Sequence, residues 1–213
     1  METLIIIDPQ NDFCDYEGSL HVMGALDAIQ NIIKYIEERN PGQIIVTLDT
    51  HNPLHMGLPG SWDVSFDKLP AINPDPIHSK HGLPVQEYAR KMRTMGLPFI
   101  VWPDHCIKGT WGHSIPLNLS KVLTEWSIKN MKDIQWIEKG QGNFTEMYSA
   151  FSELGSTEVK VPKIIGDKVT MCGVALDYCV KYSYLDLKKE GYNINLFLPG
   201  TAAIGEVESY WKD

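Results

Sequence analysis

No apolar run in this sequence reaches the roughly 20 residues a helix needs to cross a bilayer, so an ordinary membrane span is excluded. The first residues, Met1 to Asp8, carry no basic region ahead of their apolar run, and an acid ends that run early, unlike a signal peptide. Basic residues are scarce: 19 Lys and Arg stand against 27 Asp and Glu, for a formal net charge of -8. That balance opposes nucleic-acid binding and attraction to anionic membranes. Arginine occurs only as Arg39, Arg90 and Arg93. Four cysteines in 213 residues, with no export signal, point to reduced thiols in a cytoplasm rather than a disulfide scaffold. There is no internal repeat and no low-complexity segment. No glycine-rich phosphate loop follows the first apolar run, where Asp8 and Pro9 stand instead, which argues against a nucleotide-binding reading.

What is present is an alternation of strand and helix signals. Leu4 to Asp8 is a short, mostly β-branched run, stopped by Pro9. A polar loop over Gln10 to Gly24 leads to a helix over Ala25 to Arg39, where Ile29, Ile32, Ile33 and Ile36 have helical spacing. Ile44 to Leu48 is a second buried strand, and strand–helix–strand order predicts parallel pairing with a right-handed crossover. Helices are expected at Val85–Met95, Leu117–Lys129, Thr145–Leu154 and Tyr178–Lys189, with Asp177 as the N-cap or first-turn acid of the last. Further strands are expected at Ile134–Lys139, Val169–Cys172 and Asn193–Leu198. Eight of the 13 prolines fall between Asn52 and Pro103. A connection of that length and composition is usually functional, so 52–101 is read as a lid or rim without its own strand set, inside one 1–213 domain. The fold class is α/β: a doubly wound, mostly parallel, Rossmann-like three-layer sheet.

In such sheets ligands bind beyond the carboxyl ends of the strands. Four strands here end on, or just before, reactive residue types: Asp8, Asp49, Lys139 and Cys179. Each alone has a plain structural explanation, a cap, a turn or a buried thiol. Together at one edge they are harder to dismiss. Cys179 falls in the first helical turn, where free amides and the helix dipole favour a thiolate. Asp49 and His51 are two apart and point the same way in extended backbone, so one carboxylate and one imidazole can share a divalent metal. His105 can complete the set. The remaining histidines lack such a pattern; His78 and His81 read as loop surface, and His55 as a lesser ligand or a group behind the ligands.

With these residues assembled, the chain resembles the nicotinamidase branch of the isochorismatase-like cysteine hydrolases. The matching blocks are Ile7 to Phe13, Gly18 to Leu20 with Val22, Thr47 to His51, Trp102 to Cys106, Glu138–Lys139, and Cys172 to Val180. The resemblance implies a catalytic triad of Asp8, Lys139 and Cys179, and an oxyanion hole from the backbone N–H groups of Ala175 and Cys179. It implies a cis peptide between Val174 and Ala175. It further implies an aromatic substrate pocket of Phe13, Trp102 and Tyr178, and a metal at Asp49, His51 and His105: zinc first, with iron or manganese as alternatives. Isochorismatases proper lack the nucleophilic cysteine, so Cys179 points to amide hydrolysis. The expected reaction is nicotinamide to nicotinic acid and ammonia through a thioester, a step of NAD salvage. A related amidase acting on a carbamoyl or ureido substrate is the alternative. The long 52–101 connection and a C-terminus shortened after Thr201 depart from the family pattern. A five-stranded sheet, or an edge covered in a homo-oligomer, would fit the latter.

Overall fold

The computed structural model describes residues 1–205. Strand β1 (Glu2–Ile7) leads through a short helix α1 (Asn11–Cys14) to helix α2 (Ala25–Arg39) and strand β2 (Gln43–Asp49). Next come strand β3 (Ala71–Ile72), helix α3 (Leu83–Thr94), strand β4 (Ile100–Val101), helix α4 (Leu117–Asn130) and strand β5 (Gln135–Lys139). Strand β6 (Lys168–Val174), a π-helical turn over Leu176–Val180, helix α5 (Lys181–Lys189) and strand β7 (Ile194–Ala202) follow.

The main sheet has five strands in the order β5-β2-β1-β6-β7, all parallel. Period-two alternation assigns its faces. Leu4, Ile6, Ile44 and Val46 pack against Ile29, Ile32 and Ile36 of α2 and Leu123 and Trp126 of α4. Ile5, Ile7, Ile45 and Met171 face the other way, onto Leu187 of α5 and the loop residue Phe151. The result is a three-layer α/β fold. The chain runs outward from β1 to β2 and β5, then returns to β6 and β7, so the switch point lies between β1 and β6. Among the described residues, no helix is long and apolar enough to cross a membrane.

Four local expectations are corrected. Gln10–Gly24 is not all loop, because Asn11–Cys14 coils into a helical turn whose four residues are buried. Thr145–Leu154 forms no helix. Its polar groups are drawn to tertiary partners instead: the Glu146 amide donates to the Tyr88 hydroxyl, the Ala150 amide to Ser183 Oγ, and the Met147 carbonyl accepts from Lys139. The 52–101 segment does carry strands, since β3 and β4 pair antiparallel. Strand β7 runs through Pro199 and Gly200, with a register irregularity opposite Met171–Gly173; proline is tolerated because this is an edge strand. Of the two roles expected for Asp177, it takes that of first-turn acid after β6, since Ala175 holds the cap position; its carboxylate turns toward Ile204 and Gly205.

Candidate active site

The carboxyl ends of four adjacent strands deliver one buried polar cluster. At the end of β1 the backbone of Asp8 turns left-handed, φ 44°, which swings its carboxylate off the strand line. Such a conformation in a non-glycine residue persists only where its surroundings enforce it. Here Thr47 does so from β2: its hydroxyl donates to Asp8 Oδ1 at 2.6 Å and accepts from the Asp8 amide at 3.1 Å. Gln10 ties the same two strand ends together, its amide group exchanging hydrogen bonds with the Asp49 backbone N–H (2.7 Å) and C=O (2.8 Å).

Lys139, from the end of β5, lies at the centre. Its ammonium donates to Asp49 Oδ1 and to the Met147 carbonyl, both at 3.0 Å, and stands 3.1 Å from Asp8 Oδ2 and 3.5 Å from Cys179 Sγ. Burial disfavours a cation there, but Asp49 and Asp8 outweigh it and hold the ammonium well above the ordinary lysine value. Burial pushes the Asp8 carboxyl up, with Lys139 pulling against it. Burial also pushes the Cys179 thiol well above the ordinary cysteine value, and Lys139 offsets this only in part. Desolvation thus works against the helix terminus at Cys179. Cys179 stands in hydrogen-bonding relation with Asp8, a carboxylate able to take the thiol proton.

The other three cysteines are buried without such partners. Burial lifts Cys14 to about 12 and raises Cys106 and Cys172 as well. Cys179 alone of the four has the Lys139 ammonium at hydrogen-bonding distance. The peptide between Val174 and Ala175 is cis. It sits at the head of the π-helical turn, whose first amides lack helical acceptors as at any helix start.

Asp49 faces two ways. Its Oδ1 meets Lys139, and its Oδ2 lies 3.1 Å from His51 Nε2 and 3.3 Å from His105 Nε2. His51 Nδ1 is 3.1 Å from the Gly140 carbonyl and His105 Nδ1 is 2.7 Å from the Pro103 carbonyl. A carbonyl only accepts, so both Nδ1 atoms carry the proton, and in the neutral rings both Nε2 lone pairs face Asp49. One ligand atom from each residue lies within 4.8 Å of the others. Two imidazole lone pairs converging on a carboxylate oxygen are a donor set that fits a divalent transition metal. Burial works against charge on Asp49, yet His51 and Lys139 hold its carboxyl well below the usual carboxylate range. The ring of His55 packs 4.2 Å from that of His51, so His55 stands behind the ligand set.

Gly140 is required by this geometry. Its φ is +73°, and a Cβ there would lie 2.9 Å from His51 Cε1 and 3.0 Å from Asp49 Oδ1. Gly140→Ala is expected to weaken metal affinity by about 10–100-fold, as loss of support behind a ligand does, measurable by competition with a chromophoric chelator.

Between nucleophile and donor set lies a cavity open to solvent. Its apolar lining is Phe13, Leu20, Trp102, Tyr148, Ala175, Tyr178 and Ile204, and its polar lining is Asp49, His51, His105, Glu146 and Cys179. All three expected aromatic residues are present. The Trp102 and Tyr178 rings meet edge to face at 5.0 Å, and Phe13 lies 5.6 Å from His105. Sequence reasoning missed Gln10, Glu146 and Tyr148. Glu146 is buried, which pushes its carboxyl up, and Tyr148 accepts from the Trp102 indole at 3.4 Å. The cue for the last two was a segment misread as helix.

No family model matches the chain. The nicotinamidase of Saccharomyces cerevisiae is 30% identical over 218 residues, spanning 97% of this chain and 90% of that protein. The solved structure of the yeast nicotinamidase superposes with a TM-score of 0.71 at 27% identity, covering 100% of this chain and 93% of that one. The PnC1 protein of L. infantum, solved in complex with nicotinate, gives a TM-score of 0.65 at 25% identity, covering 100% of this chain and 85% of that one.

Proposed function

The chain belongs to the nicotinamidase family, and we propose that it hydrolyses nicotinamide to nicotinic acid and ammonia with Cys179 as nucleophile and Asp8 and Lys139 as its partners. The observation that carries the assignment is the Lys139 ammonium, 3.5 Å from the Cys179 thiol and 3.1 Å from the Asp8 carboxylate, with Cys179 lining an aromatic cavity. Cys179 Sγ forms a bond to the carboxamide carbon as its proton passes to Asp8. The carbonyl oxygen takes up the electron pair and is held by the N–H groups of Ala175 and Cys179, each donor contributing about 3 kcal/mol. Asp8 returns the proton to the amide nitrogen, the C–N bond breaks, and ammonia leaves. A water then attacks the thioester carbon, giving its proton to Asp8. The C–S bond breaks, and the proton restores the thiol as nicotinate departs. Lys139 stays charged throughout and stabilises whichever of Asp8 and Cys179 is anionic.

Asp49, His51 and His105 would hold one divalent ion, zinc by preference for an imidazole–carboxylate set, with iron and manganese as alternatives. When bound, it supplies a Lewis acid for the ring nitrogen and adjacent water. Phe13, Trp102 and Tyr178 flank the flat ring. The alternative carbamoyl substrates would want an arginine in the pocket. None lines it among the described residues, and Arg93 reaches instead toward the Pro74 carbonyl at 3.5 Å.

The same reading takes 1–213 as one domain with 52–101 as a lid-like insertion packed behind the pocket residues Trp102 and Tyr148. Trp62, Tyr88, Trp102 and Tyr148 share one apolar cluster in support of it. The partner is a small amide; a net charge of -8 opposes nucleic acid and anionic membranes, and four free thiols suit the cytoplasm. Self-association along an exposed sheet edge is part of the same proposal. Incubation with nicotinamide is expected to release ammonia and nicotinic acid in equal amounts. Removing the metal by dialysis against a chelator is expected to suppress this by about 100-fold or more, with recovery on adding zinc. Turnover of a ureido compound but not of nicotinamide would overturn the assignment.

A further inference from the structure

Asp177 has no part in the mechanism above, yet its carboxylate is committed. Oδ1 accepts from the Ile204 amide at 3.0 Å and Oδ2 from the Gly205 amide at 2.8 Å. The sheet explains why these residues meet. Val174 of β6 pairs in parallel with Ala202 of β7, so the chain three residues beyond each strand arrives at the same height: Asp177 on one side, Gly205 on the other. A carboxylate accepting two consecutive amides is a charge-assisted clamp, stronger than a contact between neutral groups. It is anchored in the turn that carries Cys179, two residues on, and Tyr178. What it holds in place is Ile204, whose side chain lines the substrate cavity while remaining 40% exposed, and so stands at its mouth.

We infer that Ile204 is a specificity-determining residue that limits the size of the aromatic carboxamide, and that Asp177 is the positioning residue that keeps it there. This rests on the amidase reading of the same cavity. Most of the pocket's bulk comes from rings on several elements, while Ile204 is an aliphatic side chain at the mouth whose backbone is held by Asp177. Shortening it, or releasing the segment that bears it, opens the mouth without touching Cys179, Asp8, Lys139 or the metal ligands.

The test compares nicotinamide with quinoline-3-carboxamide, which carries a second fused ring, on purified metal-loaded wild type, Ile204→Ala, Asp177→Ala and the double variant. The ratio of kcat/KM for the larger to the smaller amide is expected to rise by about tenfold or more in Ile204→Ala, the usual effect of a few methylenes in a pocket. Asp177→Ala should raise it in the same direction with Ile204 intact, and the double variant should add little beyond Ile204→Ala. If Asp177→Ala fails to fold, Asp177→Asn, which keeps one accepting oxygen, should give an intermediate ratio. A ratio unchanged in Ile204→Ala, with nicotinamide still turned over, overturns the inference alone. A ratio raised by Ile204→Ala but by neither Asp177 variant overturns the positioning role. A metal-loaded wild type inactive on nicotinamide overturns the amidase reading, and this inference with it.

Discussion

Cys179→Ala is expected to leave a folded protein whose kcat for nicotinamide has fallen by about ten-thousand-fold or more, the scale of loss when a covalent nucleophile is removed. The fold should tolerate it. Cys179 is a small buried side chain in a turn fixed by backbone bonds from the Tyr178 and Val180 amides to the Ala175 carbonyl. Trading a thiol for a methyl there should cost about 1 kcal/mol. The informative comparison is Cys172→Ala. That thiol is buried in β6, its sulfur 3.7 Å from the Ile5 carbonyl, and its loss should lower stability slightly and leave kcat unchanged. Equal activity in Cys179→Ala and wild type would remove the nucleophile from the account.

Lys139→Met is expected to damage both stability and rate. The ammonium is the cation between Asp8 and Asp49, all three buried. Methionine fills similar space but leaves two carboxylates facing each other without it. Removing one partner of a buried ion pair typically costs about 3–5 kcal/mol, which for a chain of this size corresponds to a fall in Tm of roughly 6–20 °C. The rate should fall with it, by about 100-fold or more, since the charge next to the reacting sulfur is lost. A double variant separates the two effects. Adding Asp8→Asn to Lys139→Met removes one stranded carboxylate, so stability should recover in part while activity stays lost. Calorimetry on the single and double variants checks this. A Lys139→Met protein as stable as wild type would mean that the carboxylates find another cation.

The strands and most helices were legible because β-branched runs and helical spacing are local. Leu4 to Ile7, Ile44 to Val46 and Ile29 to Ile36 carry their periodicity in the sequence itself. The strand-end residues were legible for a topological reason: parallel strands present their carboxyl ends at one edge, so Asp8, Asp49, Lys139 and Cys179 had to come close. What failed to show was polar tertiary bonding. Thr145 to Leu154 has apolar spacing compatible with a helix, but Tyr88, Ser183 and Lys139 claim its backbone groups from elsewhere in the chain. With that segment misread, Glu146 and Tyr148 were lost from the pocket. Gln10 was lost because one side chain bridging two strand ends leaves no periodic trace. The depth of burial at Cys179, which opposes the helix start, also leaves no mark in the sequence. The expected packing of residues 206–213 lies outside the described residues.

The central claim is that an acyl group passes through Cys179. Rapid acid quench of metal-loaded enzyme during turnover of nicotinamide, followed by peptide mass spectrometry, tests it most directly. One nicotinoyl group, labile to hydroxylamine, is expected on the peptide bearing Cys179 and on no other cysteine. Steady turnover with no acylated Cys179 at any quench time, together with an active Cys179→Ala variant, would contradict it.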